Sequence, residues 1–152
     1  MNILIERAAQ KDIHSILLLL KELYSELGEE AESIKFLTED FLKDMLNSTQ
    51  TEIFLAKTPD HQVTGILTLT ESQSIYAGGA YALLDEMFII PQYRSSGIGS
   101  SFIEKMKEIG KQRNWKRIDV TAPSEERWNR TINFYEKCGF VFTGPKLKLS
   151  LQ

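Results

Sequence analysis

The chain has 152 residues, of which 42% are hydrophobic and 26% charged, so its composition predicts one globular domain with a substantial core. Its net charge of −3 argues against a general nucleic-acid binder, and its single cysteine excludes an intramolecular disulfide framework. The longest apolar run, Ile16–Leu20, is too short to span a bilayer, and no signal peptide precedes it. We therefore expect a cytoplasmic protein that does not bind a membrane.

The first third of the chain predicts a strand followed by two helices. Ile3–Arg7 forms the strand. Asp12 is a favourable N-cap for a helix whose apolar residues recur at helical spacing, and Gly28 is suited to end that helix. After the aperiodic stretch Glu29–Leu37, which we predict to be a loop, Thr38 caps a second, short helix.

The remaining elements are mostly strands. Thr51–Lys57 and Val63–Ser72 flank a polar turn, a pattern that predicts a hairpin. The connection Gln73–Ala80 leads to a mostly buried strand, Leu83–Ile90, which Pro91 ends. The elements predicted after it are an amphipathic helix, a strand at Ile118–Val120, a polar loop at Pro123–Arg127, a helix ending at Gly139, and a closing hairpin of Phe140–Thr143 and Leu147–Leu151.

A short glycine-containing turn, Arg94–Gly99, joins the buried strand to the amphipathic helix. At such a junction the free backbone N–H groups of the first helical turn converge, and the helix dipole adds partial positive charge. Glycine also lets a ligand approach the backbone closely. The turn therefore predicts a phosphate-binding site.

Two of the three phosphate-binding motifs that we compared with this turn fit it poorly. A Walker loop is excluded because GxxxxGK[ST] is absent. A dinucleotide-binding turn matches Gly97 and Gly99, and Asp119 lies about where a ribose-binding acid is expected, but Phe102 replaces the third glycine. The chain left after the turn is also too short for several more βα units.

The third motif fits without a gap: Arg94–Gly99 matches the R/Q-x-x-G-x-G/A loop of the GCN5-related N-acetyltransferases (GNAT). Residues 128–140, WNRTINFYEKCGF, are similar to the N-x-x-(A/S/T)-x-x-(F/L)-Y-x-(K/R)-x-G-F segment of the same family, and the two motifs occur in the family's order. The chain thus resembles this family from about Tyr81 to Phe142. The resemblance implies a single α+β domain over residues 1–152, with a central mixed, mostly antiparallel sheet flanked by helices.

The resemblance implies acetyl-CoA as co-substrate. Backbone N–H groups of the loop are expected to bind its pyrophosphate, while the free edge of the preceding strand and a side-chain amide are expected to bind its pantetheine arm. The implied cofactor-binding residues are Met87, Phe88, Ile89, Arg94, Ser95, Ser96, Gly97, Ile98, Gly99, Ser100, Asn129 and Tyr135.

Asp85 and Glu86 are adjacent carboxylates in an otherwise apolar strand, which is costly unless they are paired or used. Strand alternation predicts that they point to opposite faces, so that at most one faces the acceptor. In polyamine-type members of the resembled family, the acids at these positions act as base and amine binder. That implies a base role for Asp85 and an amine-binding role for Glu86; a structural ion pair is the alternative.

The resemblance further implies that Tyr135 is the general acid that protonates the departing sulfur. The alternative is a core tyrosine on an amphipathic helix. In the resembled family the region between the first two helices lines the acceptor pocket, which makes Tyr24, Glu26 and Phe36 substrate-binding candidates beside Glu86. We expect no metal site, because no histidine has a second His or Cys at ligand spacing.

These observations together predict direct acetyl transfer from acetyl-CoA to a primary amine of a small metabolite, such as a polyamine or an amino acid. Two alternatives stay open: acetylation of a protein or peptide, and a CoA-binding regulatory domain without turnover. A homodimer is expected by analogy with the fold, and no nucleic-acid partner is expected.

Overall fold

Five strands and four α-helices form in the part of the chain that the computed structural model describes, residues 2–121, 129–144 and 146–152. Within these residues, no helix combines the length and the apolar character that a membrane crossing requires. In chain order the elements are β1 Leu4–Arg7, α1 Ile13–Glu26, α2 Glu39–Leu46, β2 Thr51–Lys57, β3 Val63–Ser74, β4 Gly79–Ile89, α3 Ile98–Arg113, β5 Ile118–Val120 and α4 Asn129–Lys137.

Contacts group the chain into two compact units, Met1–Asp119 and Val120–Gln152. The first unit contains the strands β1 to β4 and the helices α1, α2 and α3, whereas α4 belongs to the second. The single domain expected from the sequence stays a prediction. The polar loop predicted at Pro123–Arg127 lies outside the described residues.

The sheet has the strand order β1-β2-β3-β4-β5, and its first four strands are antiparallel neighbours. The segment entering β5 is parallel to β4, because the N–H of Lys116 donates to the carbonyl of Ala80 and the N–H of Ala82 donates to the carbonyl of Arg117, so both residue numbers rise together. The predicted mixed, mostly antiparallel sheet of an α+β fold is confirmed. β3 and β4 are longer than predicted, because both extend into the expected connection Gln73–Ala80.

Helices cover both faces of the sheet in the first unit. Successive side chains of β3 point to opposite faces of the sheet. Ile66 packs in the cluster that α1 and α2 form, and the next residue, Leu67, points to the other face. On that opposite side α3 buries its apolar stripe, which includes Phe102 and Met106. Each fully buried side chain of this size contributes about 1.5–3 kcal/mol. The cluster on the first face consists of Ile16, Leu19, Leu20, Leu37, Leu42, Ile53, Leu55, Ile66 and Phe88.

Helix ends follow the predicted capping residues with one exception. Thr38 caps α2 through its hydroxyl, which accepts from the N–H of Phe41 at 3.1 Å, and Gly28 follows α1 with φ +83°. Asp12 does precede α1, but its side chain does not cap that helix. Instead, one oxygen accepts from the N–H of Ala9 at 2.9 Å and the other from Lys57 Nζ at 3.0 Å. Because Lys57 is a buried cation, the carboxylate is held as its counter-charge.

One β-bulge interrupts the pairing of β3 with β4. Thr68 lies opposite Glu86, but the next residue of β3, Leu69, lies opposite Leu84, so Asp85 is an extra residue on β4. A bulge shifts the side-chain alternation of its strand by one residue. The faces to which Asp85 and Glu86 point are therefore set by this register and not by simple alternation.

The predicted closing hairpin is wrong. None of the described residues among 140–144 and 146–152 lies in a strand, and the large apolar side chains after Phe140 remain 79–91% exposed. Short alternating segments gain little stability as strands until a neighbouring strand and an apolar surface complete them. Alternation of leucine and lysine was therefore insufficient for the assignment. The exposed residues are Val141, Phe142, Leu147, Leu149 and Leu151.

An ion-pair network at Glu52 ties β2 to the end of α3. Arg113 binds the Glu52 carboxylate with two hydrogen bonds of 2.6 and 2.8 Å, and Arg7 also donates to it. Arg113 makes a further bond of 2.9 Å to Glu71. Burial alone would raise the pKa of Glu52, but the two guanidinium groups outweigh it, so the pKa lies below its usual value.

We expect Glu52→Gln to lower the free energy of unfolding at pH 7 by about 1–3 kcal/mol, because the bidentate pair is broken while two arginines remain. Since the folded-state pKa of Glu52 is depressed, its contribution is present above the unfolded pKa and is lost as pH falls through the folded value. Urea unfolding at several pH values measures this. The matched control is Glu104→Gln, which removes an exposed i,i+3 pair with Lys107 and should cost less than about 0.5 kcal/mol.

Candidate active site

The turn predicted to bind phosphate has a defined backbone conformation. A 3-10 turn, Pro91–Tyr93, follows β4 and leads to Arg94. Gly97 occupies the left-handed region at φ +89° and is the N-cap of α3, where no side chain caps the helix. A side chain at this φ would be strained, and a Cβ added there would meet no atom within 4 Å. The helix N-terminus therefore opens onto free space that a ligand can occupy.

Two serine hydroxyls near this turn are directed at the backbone. Ser96 Oγ donates to the carbonyl of Tyr93, and Ser101 Oγ donates to the carbonyl of Gly97 at 3.0 Å. These bonds brace the turn. Ser96 is one of the implied cofactor-binding residues, but its hydroxyl could donate to a phosphate only by leaving the carbonyl of Tyr93. The backbone N–H groups are therefore the better-prepared donors.

Arg94 is held by three contacts. Its Nε donates to the carbonyl of Ile89 at 2.8 Å, and its Nη2 pairs with Glu26 Oε2 at 2.7 Å. Its guanidinium also lies over the ring of Phe88, 5.2 Å from the centroid. Glu26, which the sequence suggested for the acceptor wall, is thus engaged with the loop arginine.

The strand before the loop contributes different groups at its three predicted positions. The Phe88 side chain is buried in the core cluster shared with α1 and α2, so only its backbone is available to a ligand. Met87 and Ile89 are partly exposed. Any pairing of this strand end with a pantetheine arm would therefore use backbone N–H and C=O groups, and this pairing stays a prediction.

Asp85 and Glu86 lie on the same face of the sheet, which corrects the expectation of opposite faces. Thr70 Oγ1 donates to Asp85 Oδ2 at 2.6 Å, and Thr68 Oγ1 donates to Glu86 Oε1 at 2.7 Å. Thr68 and Thr70 are two apart on β3 and therefore share a face. The bulge at Asp85 supplies the extra residue that turns both carboxylates toward them.

The two carboxylates differ in their surroundings. Glu86 is partly buried whereas Asp85 is exposed. Burial raises the pKa of Glu86, the charge of Asp85 raises it further, and the hydrogen bond from Thr68 partly opposes both. Burial together with the charges of Glu86, Asp85 and Glu29 raises the pKa of Tyr24 to about 12, so Tyr24 on α1 belongs to the same electrostatic cluster.

The second unit contains two of the predicted site residues, Tyr135 and Asn129. Tyr135 on α4 is 7% exposed and packs edge-to-face against Phe134 and Phe140, with ring centroids 5.3 and 5.4 Å apart. Burial, with a smaller effect from Cys138, raises the pKa of Tyr135 above its ordinary value, so the phenol stays protonated at neutral pH. Asn129 is the first residue of α4 and is exposed. Trp128 lies outside the described residues.

Phe36 is 52% exposed and makes an edge-to-face contact with Phe41, 5.6 Å between ring centroids. Thr68 and Thr70 were not predicted as site residues. Their regular alternation with Leu67 and Leu69 in β3 was the signal that could have identified them. Among the described residues, no three His, Cys, Asp or Glu side chains are grouped so that they could hold a metal ion.

A family model described as "Acetyltransferase (GNAT) domain" matches residues 49–142, which is more than half of the chain. The chain belongs to this GNAT acetyltransferase family. The match begins before β2 and includes both acids, the Arg94–Gly99 loop and α4. An uncharacterized N-acetyltransferase from Archaeoglobus fulgidus is 26% identical over 116 residues, 76% of this chain and 79% of that protein.

Solved structures share the GNAT fold. A transcriptional regulator from Bacillus halodurans superposes with a TM-score of 0.81 at 21% identity, covering 99% of this chain and 100% of the other. A ribosomal-protein-alanine N-acetyltransferase from Brucella melitensis gives 0.80 at 15% identity, with 99% and 100% covered. An aminoglycoside acetyltransferase from an uncultured soil sample, in complex with trehalose, gives 0.80 at 17% identity, with 99% and 97% covered. At these identities the likeness concerns the fold alone.

Proposed function

We propose that this GNAT protein transfers an acetyl group directly from acetyl-CoA to the primary amine of a small metabolite. The observation that carries the proposal is the pair of carboxylates on one sheet face, one exposed and one partly buried with a raised pKa. A primary amine reaches the site as an ammonium ion, because its pKa lies near 10. It must be attracted and then lose a proton before it can attack a carbonyl.

The residues of the Arg94–Gly99 loop fit the proposed co-substrate. The N-terminus of α3 has no side-chain cap, Gly97 leaves open space, and the helix dipole favours anions at this end. Arg94 adds a cation beside the same turn. When bound, acetyl-CoA supplies an acetyl group activated as a thioester.

We assign the base role to Glu86 and the amine-binding role to Asp85, which reverses the assignment implied by the family resemblance. A base that works near neutral pH needs a pKa raised toward that range, and burial raises the pKa of Glu86. Thr68 occupies Glu86 Oε1, so Oε2 is the oxygen that we assign to the proton. Asp85 is exposed and offers its negative charge to the arriving ammonium.

Tyr135 completes the proton balance. The ammonium gives one proton to Glu86, and the neutral amine then attacks the thioester carbon. The nitrogen–carbon bond forms as the carbon–sulfur bond breaks, and Tyr135 Oη gives its proton to the departing sulfur. The nitrogen loses its second proton as the amide forms, and this proton restores the phenol of Tyr135, while Glu86 releases its own proton to solvent. Its buried environment supports this role, because it keeps the phenol protonated. This role follows the family motif in which Tyr135 stands.

Thiol release from acetyl-CoA in the presence of a panel of polyamines, amino acids, aminoglycosides and peptides tests the proposal. We expect release that depends on a small amine. Turnover with peptides alone would favour protein acetylation, the activity named for the Brucella melitensis structure. Tight CoA binding without turnover would favour a regulatory domain, and absence of CoA binding would refute the role of the loop.

The expected homodimer is tested by light scattering, in which a single peak at twice the chain mass would support it.

The Glu26–Arg94 pair gives a prediction about co-substrate affinity. We expect Glu26→Gln to tighten acetyl-CoA binding by up to about 5-fold at low salt, because Arg94 is released toward the phosphates and a nearby negative charge is removed. Both side chains are well exposed, so the gain should shrink with added salt. Calorimetric titration measures it, and Glu22→Gln on the exposed face of α1 is the control. Weaker binding in the Glu26 variant would contradict the prediction.

A further inference from the structure

Thr68 makes two hydrogen bonds to the same residue across the bulge. Its hydroxyl donates to Glu86 Oε1 at 2.7 Å and accepts from the backbone N–H of Glu86 at 3.0 Å. Thr68 is only 4% exposed, so this hydroxyl is sealed within the sheet face that α1 covers. One side chain thus fixes both the backbone and the carboxylate of Glu86.

The bulge explains why a hydroxyl is needed at this place. An extra residue on one strand disturbs the regular ladder, and a buried N–H without a partner costs free energy. The Thr68 hydroxyl can serve as donor and acceptor at once, and the branched side chain has a restricted χ1 angle. Valine has nearly the same shape but offers neither bond.

We propose that Thr68 is a positioning residue of the acetyl-transfer site, whose buried hydroxyl holds the ionised Glu86 carboxylate in place and leaves Oε2 free for the acceptor amine. The inference rests on the proposed function, in which Glu86 is the base. It explains a polar residue in a buried stretch of β3 that the site motifs leave unassigned.

Among the described residues, Asp85 is the charged group that acts on Glu86, whereas the phenol of Tyr24 is neutral at neutral pH. Asp85 on the same strand raises the pKa of Glu86, and Tyr24, which faces it from α1, has its own pKa raised by Glu86, Asp85 and Glu29. Thr68 and Thr70 meet the carboxylates from β3 and are uncharged. Thr68 therefore provides the described interaction that favours the ionised form of Glu86.

The pKa of Glu86 can be measured directly in the folded chain. Carboxyl carbons of glutamate are labelled with ¹³C, the Glu86 signal is assigned by its loss in Glu86→Gln, and its shift is followed from pH 4 to pH 9 without substrate. The variants are Thr68→Val, Thr68→Ser and, should valine prevent folding, Thr68→Ala. Thr64→Val is the matched control, because Thr64 is a fully buried threonine of the same strand whose hydroxyl donates to the carbonyl of Ala56.

We expect the pKa of Glu86 to rise in Thr68→Val, to stay near the wild-type value in Thr68→Ser, and to be unchanged in Thr64→Val. With an amine that supports turnover, the acid limb of kcat/KM should move to higher pH in Thr68→Val. At pH values below the pKa of Glu86, kcat/KM should fall roughly 10-fold or more. An unchanged Glu86 pKa in both hydroxyl-free variants, or a shift in Thr68→Ser as large as in Thr68→Val, overturns the inference. A shift in Thr68→Val without turnover by any amine refutes acetyl transfer but not the hold of Thr68 on Glu86.

Discussion

Replacing Glu86 by glutamine is expected to lower kcat/KM about 10²–10⁴-fold, because the group that takes the proton from the ammonium is lost. The wild-type rate should rise with pH through the raised pKa of Glu86 and then level off, and this acid limb should vanish in the variant. Acetyl-CoA affinity should change little, since the Arg94–Gly99 loop is intact. Steady-state rates from pH 5 to pH 9 and calorimetric titration measure these quantities.

Asp85→Asn and Glu104→Gln each remove a negative charge without removing the proposed base. They therefore distinguish the loss of the base from the loss of a charge. Asp85→Asn should act mainly on KM for the amine, because Asp85 is exposed and supplies attraction. Glu104→Gln removes an exposed carboxylate on α3 and should leave the rate unchanged. An acid limb that persists in Glu86→Gln and disappears in Asp85→Asn would return the base role to Asp85.

The same Glu86 substitution should make the protein more stable at neutral pH. A carboxyl group whose folded-state pKa is raised contributes stability that is fully present below its unfolded pKa and is lost as pH rises through the folded value. Glutamine is not subject to that loss, so the stability gain over wild type should appear as pH rises above about 4.5. Urea unfolding at pH 4 and pH 7 shows the difference. Such a gain is typical of polar groups retained for activity.

Tyr135→Phe is expected to have the second large effect on activity. Its kcat should fall about 10²–10³-fold, while its dissociation constant for acetyl-CoA should stay within about 2-fold of the wild-type value. The phenol is the proposed proton donor to sulfur, and its raised pKa keeps it protonated across the assay range. Wild-type activity should therefore show no alkaline loss from this group up to pH 10. Stopped-flow rates of thiol release at saturating acetyl-CoA measure kcat.

Tyr76→Phe is the matched control, because it removes a tyrosine hydroxyl at the far end of the β3–β4 hairpin, where it meets Tyr81. Its kcat should equal that of wild type. The activity of Tyr135→Phe should also be restored when acetyl-CoA is replaced by an acetyl thioester whose thiol has a lower pKa. The thiolate of such a thioester can leave without receiving a proton. Unimpaired kcat in Tyr135→Phe would assign this tyrosine to the aromatic cluster with Phe134 and Phe140 alone.

Local sequence determined the parts of this protein whose causes are local. The Arg94–Gly99 turn, its glycine at positive φ and the start of α3 at Ile98 all follow from a few consecutive residues. The same holds for the Thr38 cap and for Gly28 after α1. Backbone conformations and helix ends depend on neighbours along the chain, so a pattern of residue types is sufficient to predict them.

Register across the sheet was decided only by the tertiary structure. The sequence shows that Asp85 and Glu86 are adjacent, but the extra residue on β4 places both on one face, and only the pairing with β3 reveals it. The partner of Arg94 likewise lies 68 residues away in α1. These contacts join segments that no local pattern relates.

The C-terminal segment shows the converse, since its alternating pattern satisfied the sequence criterion for a strand while residues 141–144 and 146–151 form none. A strand is stabilised by the neighbour with which it exchanges hydrogen bonds and the surface on which it packs. The sequence of this protein therefore specifies its loop, its caps and its acids. The tertiary structure decides which of those acids meet, because strand pairing and burial are properties of the assembled sheet.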